Sequence, residues 1–284
     1  MSRAPRAAKC ERPVVAIIGL GLMGGSLARD LAERGSSVLA YDADPEVVRA
    51  ALASAVITQA LDGSFTGVRE ANIVVIATPV DRITATLERL APALSTTAVV
   101  TDLGSTKAAV VTRAEEIGVG GQFVGSHPLA GHHRSGWAAA RTGLYQNATV
   151  FLCATSQTEP AALAAVRRLW ESVGARCQEM DAASHDRRMA WVSHLPQIAA
   201  SAVAAALSES GHDARQLGPG GRDVTRLAAS SPEMWTAIST ANAEELAATV
   251  SRLRQQLASF EDALLRNDQQ ALLNFFRTGR DWLS

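Results

Sequence analysis

The chain has 284 residues, enough for two domains with ordinary cores, and its 47% apolar and 19% charged composition is that of a folded protein. A formal net charge of −1 leaves no overall field to recruit nucleic acid or an anionic membrane. Three cysteines, Cys10, Cys153 and Cys177, lack CxxC spacing, which argues against a disulfide frame or zinc knuckle and suits a reducing cytoplasm.

Residues 1–12 are basic but carry no apolar run, so they read as a solvated, disordered tail and not as a signal peptide. PVVAII (13–18) is a short β-branched run ending in glycine, as a buried parallel strand should. A helix follows to Gly35, then the strand SVLAYD (37–42), the helix DPEVVRAALAS and the strand NIVVIATP (72–79). The helix DRITATLERLAPAL, the strand and loop AVVTDLGS (98–105) and the helix TKAAVVTRAEEIG continue the alternation. QFVGSHP and ATVFLCA (148–154) add strands, and EPAALAAVRRLWESVGARCQEM adds a last helix and strand.

Such alternation predicts an α/β fold, a Rossmann-type doubly wound parallel sheet with helices on both faces, over residues 13–180. From Asp181 onward β-branched runs thin out and Ala/Leu/Arg/Glu/Gln segments dominate, predicting an all-helical C-terminal domain over 181–284 with one break at 210–223. The apolar stretch 195–207 is too short and alanine-rich to span a bilayer, so no membrane is expected.

Gly19, Gly21 and Gly24 form G-x-G-x-x-G between a strand and a helix. The loop Gly19–Leu20–Gly21–Leu22–Met23–Gly24 therefore reads as a pyrophosphate cradle backed by a helix N-terminus. Asp42 ends the second strand 18 residues beyond Gly24 and suits the ribose hydroxyls. A carboxylate there repels a 2′-phosphate, and Ala43, Asp44 and Pro45 supply no cation, so the expected cofactor is NAD. Asp44, before Pro45, is the better helix cap. Thr78 and Pro79, then Asp102 and Gly104, end later strands on the carboxyl edge where ligands sit in this fold.

Beside the nicotinamide, oxidation of an alcohol needs a base for the hydroxyl proton and donors for the oxygen. The strand-end loops offer Ser105, Lys107 and His127. His127, held between a strand and Pro128, is the candidate base because an imidazole titrates near operating pH. No metal site is expected: His132 and His133 are adjacent and point apart in extended backbone, and no H-x-x-x-H or carboxylate set lies near. His132 has no assigned task.

The ordered series GLGLMGGSLA, ATPV, TDLGSTK, GSHPLAGHHRSG, VSHLPQIAA and RDVTRLAASSPEMW resembles the prephenate/arogenate dehydrogenase family of tyrosine biosynthesis, over about residues 13–284 and in its monofunctional form. The resemblance implies oxidative decarboxylation of a cyclohexadienol, with hydride passing from C4 to NAD, a base taking the 4-hydroxyl proton, and the ring carboxylate leaving as CO₂. It places the base on His127, an assisting serine on Ser105 and the substrate carboxylate on Arg226, with Arg222 as a second cation. Asp223 and Trp235 match pocket-shaping positions, and Ser193 and His194 begin the second domain. His194 reads equally as a core histidine satisfied by Asp223 or another neighbour. Two departures, His133 in place of an acidic residue and Gln197 in place of a second histidine, fall near the substrate side chain. They leave prephenate, arogenate or both open as substrate, with a 4-amino-4-deoxy analogue as a third. The family usually forms a homodimer through its helical domain.

Two other readings compete. β-Hydroxyacid dehydrogenases share the fingerprint but rely on a lysine in the helical part, and residues 108–284 contain none. A non-catalytic NAD(H) sensor would bind a protein partner, since no basic recognition helix is present for nucleic acid.

Overall fold

A computed structural model of the chain describes residues 12–131 and 134–283. Expectations for the basic tail before Arg12, and for His132 and His133, lie outside the described residues. The chain divides into two compact units, Met1–Asp186 with Ala229–Ala241, and Arg187–Ala228 with Asn242–Ser284. The compositional change at Asp181 lies close to the first division. The return of Ala229–Ala241 to the first unit has no compositional mark, because an amphipathic helix shows that it buries a face but not against what.

The first unit runs β1 (Val15–Ile18), α1 (Leu22–Glu33), β2 (Val38–Tyr41), α2 (Pro45–Ala53), β3 (Gln59–Ala60), β4 (Ile73–Ile76), α3 (Ile83–Leu90), β5 (Val99–Asp102) and α4 (Ala108–Glu116). It continues with β6 (Phe123–Pro128), β7 (Thr149–Ala154), α5 (Pro160–Ser172), β8 (Arg176–Glu179) and α6 (Ala182–Met189), which crosses into the second unit. Then come α7 (Leu195–Glu209), α8 (Pro219–Thr225), α9 (Pro232–Ala241, in the first unit), α10 (Ala243–Leu265) and α11 (Gln269–Asp281).

The eight strands form one sheet in the order β3-β2-β1-β4-β5-β6-β7-β8. Neighbours are parallel except β6 and β7, which pair antiparallel with His127 opposite Phe151. This departs from the parallel sheet predicted over 13–180. Among the described residues no α-helix lies between β6 and β7, and a return to a parallel neighbour usually runs through a crossover helix. The edge strand β3 is two exposed residues and left no apolar signal.

Central strands are buried on both faces and alternate between two cores. Val15 and Ile17 of β1 join Leu27, Leu31, Val166 and Trp170 on one side. Ala16 and Ile18 join Val74, Ile76, Leu87 and Val111 on the other. β1 lies between β2 and β4, so the strand order reverses there and opens a crevice at the carboxyl ends. Gly35 stops α1 with φ 75°, and Asp44 caps α2 by accepting from Glu46 N at 2.9 Å.

In the second unit α7 packs with α8 and α10, and α10 with α11. A wider turn at Ala190–His194 joins α6 to α7. The whole run Ala182–Glu209 is 28 residues long, with a mean hydropathy of 1.2 in its most apolar window. It is thus longer than the stretch read from sequence, and by length and composition alone it reaches what a membrane span needs.

Candidate active site

The glycine loop follows β1 at the point where strand order reverses. Gly19 has φ 107°, and a Cβ there would sit 2.6 Å from the Ala77 carbonyl oxygen. A Cβ on Gly24 would fall 2.0 Å from the Gly19 carbonyl oxygen, so only glycine lets α1 start this close to β1. Gly21 faces open space, with nothing within 4 Å of a Cβ built on it, and as N-cap of α1 it offers no side chain to the first N–H groups. Leu22 and Met23 form the first turn, half-buried.

Asp42, at the end of β2, accepts from Leu20 N at 2.6 Å and from Asp44 N at 2.9 Å. These bonds hold its carboxylate against the loop, half-buried. Across the crevice Thr78 and Pro79 follow β4, and Thr78 Oγ1 is buried with no hydrogen-bond partner among the described residues. An unpartnered buried hydroxyl opposite a glycine cradle and a fixed carboxylate fits a dinucleotide whose phosphates take the α1 N–H groups.

Asp102, expected on the ligand edge, has its side chain turned into the fold. It is fully buried, its Oδ2 pairs with the Lys107 ammonium and accepts from Gly104 N at 2.8 Å, and its Oδ1 accepts from Ser126 N at 3.2 Å. With its oxygens engaged inside the protein, Asp102 shapes the Gly104–Ser105 turn. Lys107, also fully buried, donates further to the Ser126 carbonyl at 3.0 Å and so ties β5 to β6. Ser105 is half-buried on this turn.

His127 sits near the end of β6, 8% exposed. Its strand is set from behind: Ser126 Oγ lies 2.7 Å from Thr101 Oγ1 and accepts from the Trp170 indole N–H at 3.0 Å. Its Nδ1 lies 2.8 Å from Nε2 of His185, whose Nδ1 lies 2.7 Å from Asp186 Oδ1. The His185 ring is fully buried and held edge-on between His127 and Phe151. Asp186 also accepts from Lys107 N and Ala108 N, both at 2.8 Å, at the start of α4. A carboxylate only accepts, so with both rings neutral His185 donates to Asp186 and His127 donates to His185. The lone pair of His127 is thereby left on Nε2, and the ordered chain stabilises the imidazolium that forms when Nε2 takes a proton.

His185 and Asp186 escaped the sequence reading because HDRR resembles a solvated helix start. The available signal was the i, i+4 spacing of His185 and Met189, both fully buried on one face of α6. Trp235 lies half-buried on α9 in this same unit, although the compositional boundary put it with the helical half.

The second unit holds Ser193, His194, Gln197, Arg222, Asp223 and Arg226. His194 is buried with Nδ1 3.2 Å from Asn242 Nδ2, so a neighbour other than Asp223 meets that nitrogen. Gln197 is buried and its amide donates to the Leu227 carbonyl at 2.8 Å, which ties α7 to the turn carrying Arg226. Arg222 is exposed and donates to the Leu217 carbonyl, while Asp223 and Arg226 are exposed and Ser193 half-buried. Among the described residues no group of three His, Cys, Asp or Glu side chains converges to hold a metal.

The family described as prephenate dehydrogenase, nucleotide-binding domain, matches residues 27–179, and prephenate dehydrogenase, dimerization domain, matches 181–278. A prephenate dehydrogenase of Bacillus subtilis is 34% identical over 95% of this chain and 75% of its own length. A cyclohexadienyl dehydrogenase of Zymomonas mobilis is 32% identical over 93% and 92%. The crystal structure of prephenate dehydrogenase from A. aeolicus in complex with hydroxyphenyl propionate and NAD+ superposes with a TM-score of 0.87 at 31% identity, covering 96% of this chain and 98% of that one. A glycine cradle at the strand-order reversal, a histidine at the sheet edge and these likenesses lead to one conclusion: the chain belongs to the prephenate dehydrogenase family.

Proposed function

We propose that the protein oxidatively decarboxylates prephenate to 4-hydroxyphenylpyruvate with NAD, a step of tyrosine biosynthesis. The observation that carries this reading is the His127–His185–Asp186 chain in the same unit as the dinucleotide cradle, in a chain 34% identical to a prephenate dehydrogenase. Residues 19–24, Asp42 and Thr78 would hold the cofactor. NAD, when bound, supplies the acceptor for the hydride that leaves C4. His127 Nε2 takes the 4-hydroxyl proton as C4 becomes a carbonyl, Ser105 assists as a donor, and Asp186 acts on His127 through His185. The electron pair of the bond to the departing CO₂ restores the aromatic ring, and the proton held by His127 returns to the phenolate oxygen.

Arg226 is the anchor for a substrate carboxylate, because a guanidinium grips one through two parallel hydrogen bonds. Gln197 supports it from behind by fixing the turn at Leu227. Arg222, spent on the Leu217 carbonyl, is the weaker candidate.

The working form is a homodimer in the cytoplasm. In one copy of the helical unit Leu257, Leu264, Leu265 and Phe276 are each more than half exposed, an apolar display that calls for a partner surface. The run 182–209 draws much of its apolarity from alanine, is largely exposed in one copy, and buries His194 and Gln197 in hydrogen bonds, which suits a helix that packs in the dimer better than a membrane span. Cys153 and Cys177 are free thiols that burial pushes up to about 12 and about 11, which suits a reducing compartment.

Steady-state kinetics with NAD and prephenate or arogenate test the reading through the absorbance of reduced cofactor. Prephenate is expected to give the higher kcat/KM. His127→Asn should lower kcat by roughly 10²–10⁴ with little change in NAD affinity, and Arg226→Ala should mainly raise KM. Absence of turnover with either substrate would refute the enzyme, and undiminished turnover in His127→Asn would refute the base.

A further inference from the structure

The loop from Leu129 to Ala148, which leaves β6 just after His127, is clasped along one side of α1. The Trp137 ring lies against Gly25, where an added Cβ would come within 2.9 Å of Trp137 Cε3 and of Ala140 Cβ. One turn on, the Arg29 guanidinium sits 4.2 Å from the Trp137 ring centroid. Arg141 N donates to Ser26 Oγ at 3.0 Å, Gly143 N donates to Asp30 Oδ1 at 2.8 Å, and the Tyr145 hydroxyl donates to the Met23 carbonyl at 2.7 Å. At its other end the loop is fixed by Leu129 N, which donates to the Thr149 carbonyl at 2.8 Å.

The loop, whose residues 134–136 come after HP-x-AG (127–131) and lead into Trp137, therefore has two anchors. One is the strand that carries His127, and the other is the helix whose first turn cradles the dinucleotide. Gly25 and Ser26 are too small to hold the loop by themselves. Trp137 supplies the area, and the cation above its face adds a directional contact.

We infer that Trp137 is a positioning residue: it fastens the substrate-side loop to α1, so that a dinucleotide steadying the first turn of α1 also steadies residues 134–136. This rests on the reading of the glycine loop as a cofactor cradle and of the HP-x-AG loop as a substrate element. A ligand that favours one arrangement of α1 favours whatever is packed on it by the same differential affinity. Loops held by few contacts open locally, and proteolysis reports the open population.

The test is limited trypsin digestion of the whole chain, following cleavage after the exposed Arg134, with and without NADH. Trp137→Ala should be cut there about tenfold faster than wild type, and Trp137→Phe, which keeps a ring under Arg29, within about threefold. Arg29→Gln, the milder variant, should fall between them. NADH should slow cleavage in the wild type and in Trp137→Phe but not in Trp137→Ala. In turnover, Trp137→Ala should raise KM for prephenate about tenfold while the Kd for NADH stays within about twofold. Wild-type cleavage rates in both Trp137→Ala and Arg29→Gln overturn the proposal. So does a loss of NADH affinity matching the rise in KM, which would make Trp137 a plain support of α1. Digestion and NADH binding need no substrate, so a failure of the prephenate reading leaves these outcomes legible.

Discussion

The sheet unit and the helical unit satisfy their side chains by different means. In the sheet unit β1, β2, β4, β5, β6 and β7 bury residues on both faces, and several of its buried charges are internally matched: Lys107 with Asp102, Asp186 with two backbone N–H groups and His185. In the helical unit burial is sparse. α11 buries no residue and α8 none, while Leu257, Leu265, Phe276 and Trp282 face outward in a single copy. One unit closes upon itself, as a doubly wound sheet with helices on both faces must. The other leaves apolar faces that only a further surface can cover, and a second copy of the same unit is the economical choice.

That contrast can be broken most forcefully at Lys107. Replacing it with Met leaves the Asp102 carboxylate buried with backbone donors alone, and removing one partner of a buried ion pair destabilises by about 3–5 kcal/mol. A loss of that size should appear as a fall in Tm of roughly 2–4 °C per kcal/mol. If the fall is under about 2 °C, the sheet unit does not depend on internal matching as described.

Dilution probes the other side of the comparison. A homodimer held by the helical unit should lose Tm as protein concentration drops, since a hundredfold excess over Kd is worth about 2.7 kcal/mol of apparent stability. Scanning calorimetry over a hundredfold concentration range, paired with sedimentation, checks this. A concentration-independent Tm with a monomer at all concentrations would show that the exposed face of α10 and α11 is tolerated in water.

Much of the sheet unit was legible because its elements are local. Strand periodicity marks β1, β2, β4 and β5, and the glycine spacing marks the cradle. What stayed hidden was long-range pairing. His127 could be named from its loop, but its partner lies 58 residues on, in a helix start that reads as polar surface. Asp102 is legible by its place at a strand end, but its pairing with Lys107, five residues away and folding back beneath the turn, is not. The helical unit was legible only as helical. Alanine-rich faces specify close packing without specifying the neighbour, so the return of α9 to the sheet unit could not be read.

The smallest expected effect concerns Asp30, the one acid of the α1 clasp. Its side chain is nearly inaccessible, and burial raises its pKa above the ordinary carboxylate value, partly opposed by the Gly143 N–H and by Arg34. A carboxyl whose folded pKa is raised contributes stability that is complete below its unfolded pKa and is lost as the pH rises through the folded value. Asp30→Asn keeps an oxygen for the Gly143 N–H and removes the charge. The variant should therefore melt above the wild type at pH 7, and the gap should shrink as the pH falls below about 4, where the wild-type carboxyl is protonated in both states. Parallel melting curves from pH 3 to 7 decide it. A variant that melts lower at every pH would mean that the charge itself holds Gly143, and that the clasp on α1 is electrostatic where the buried strands of the same unit are not.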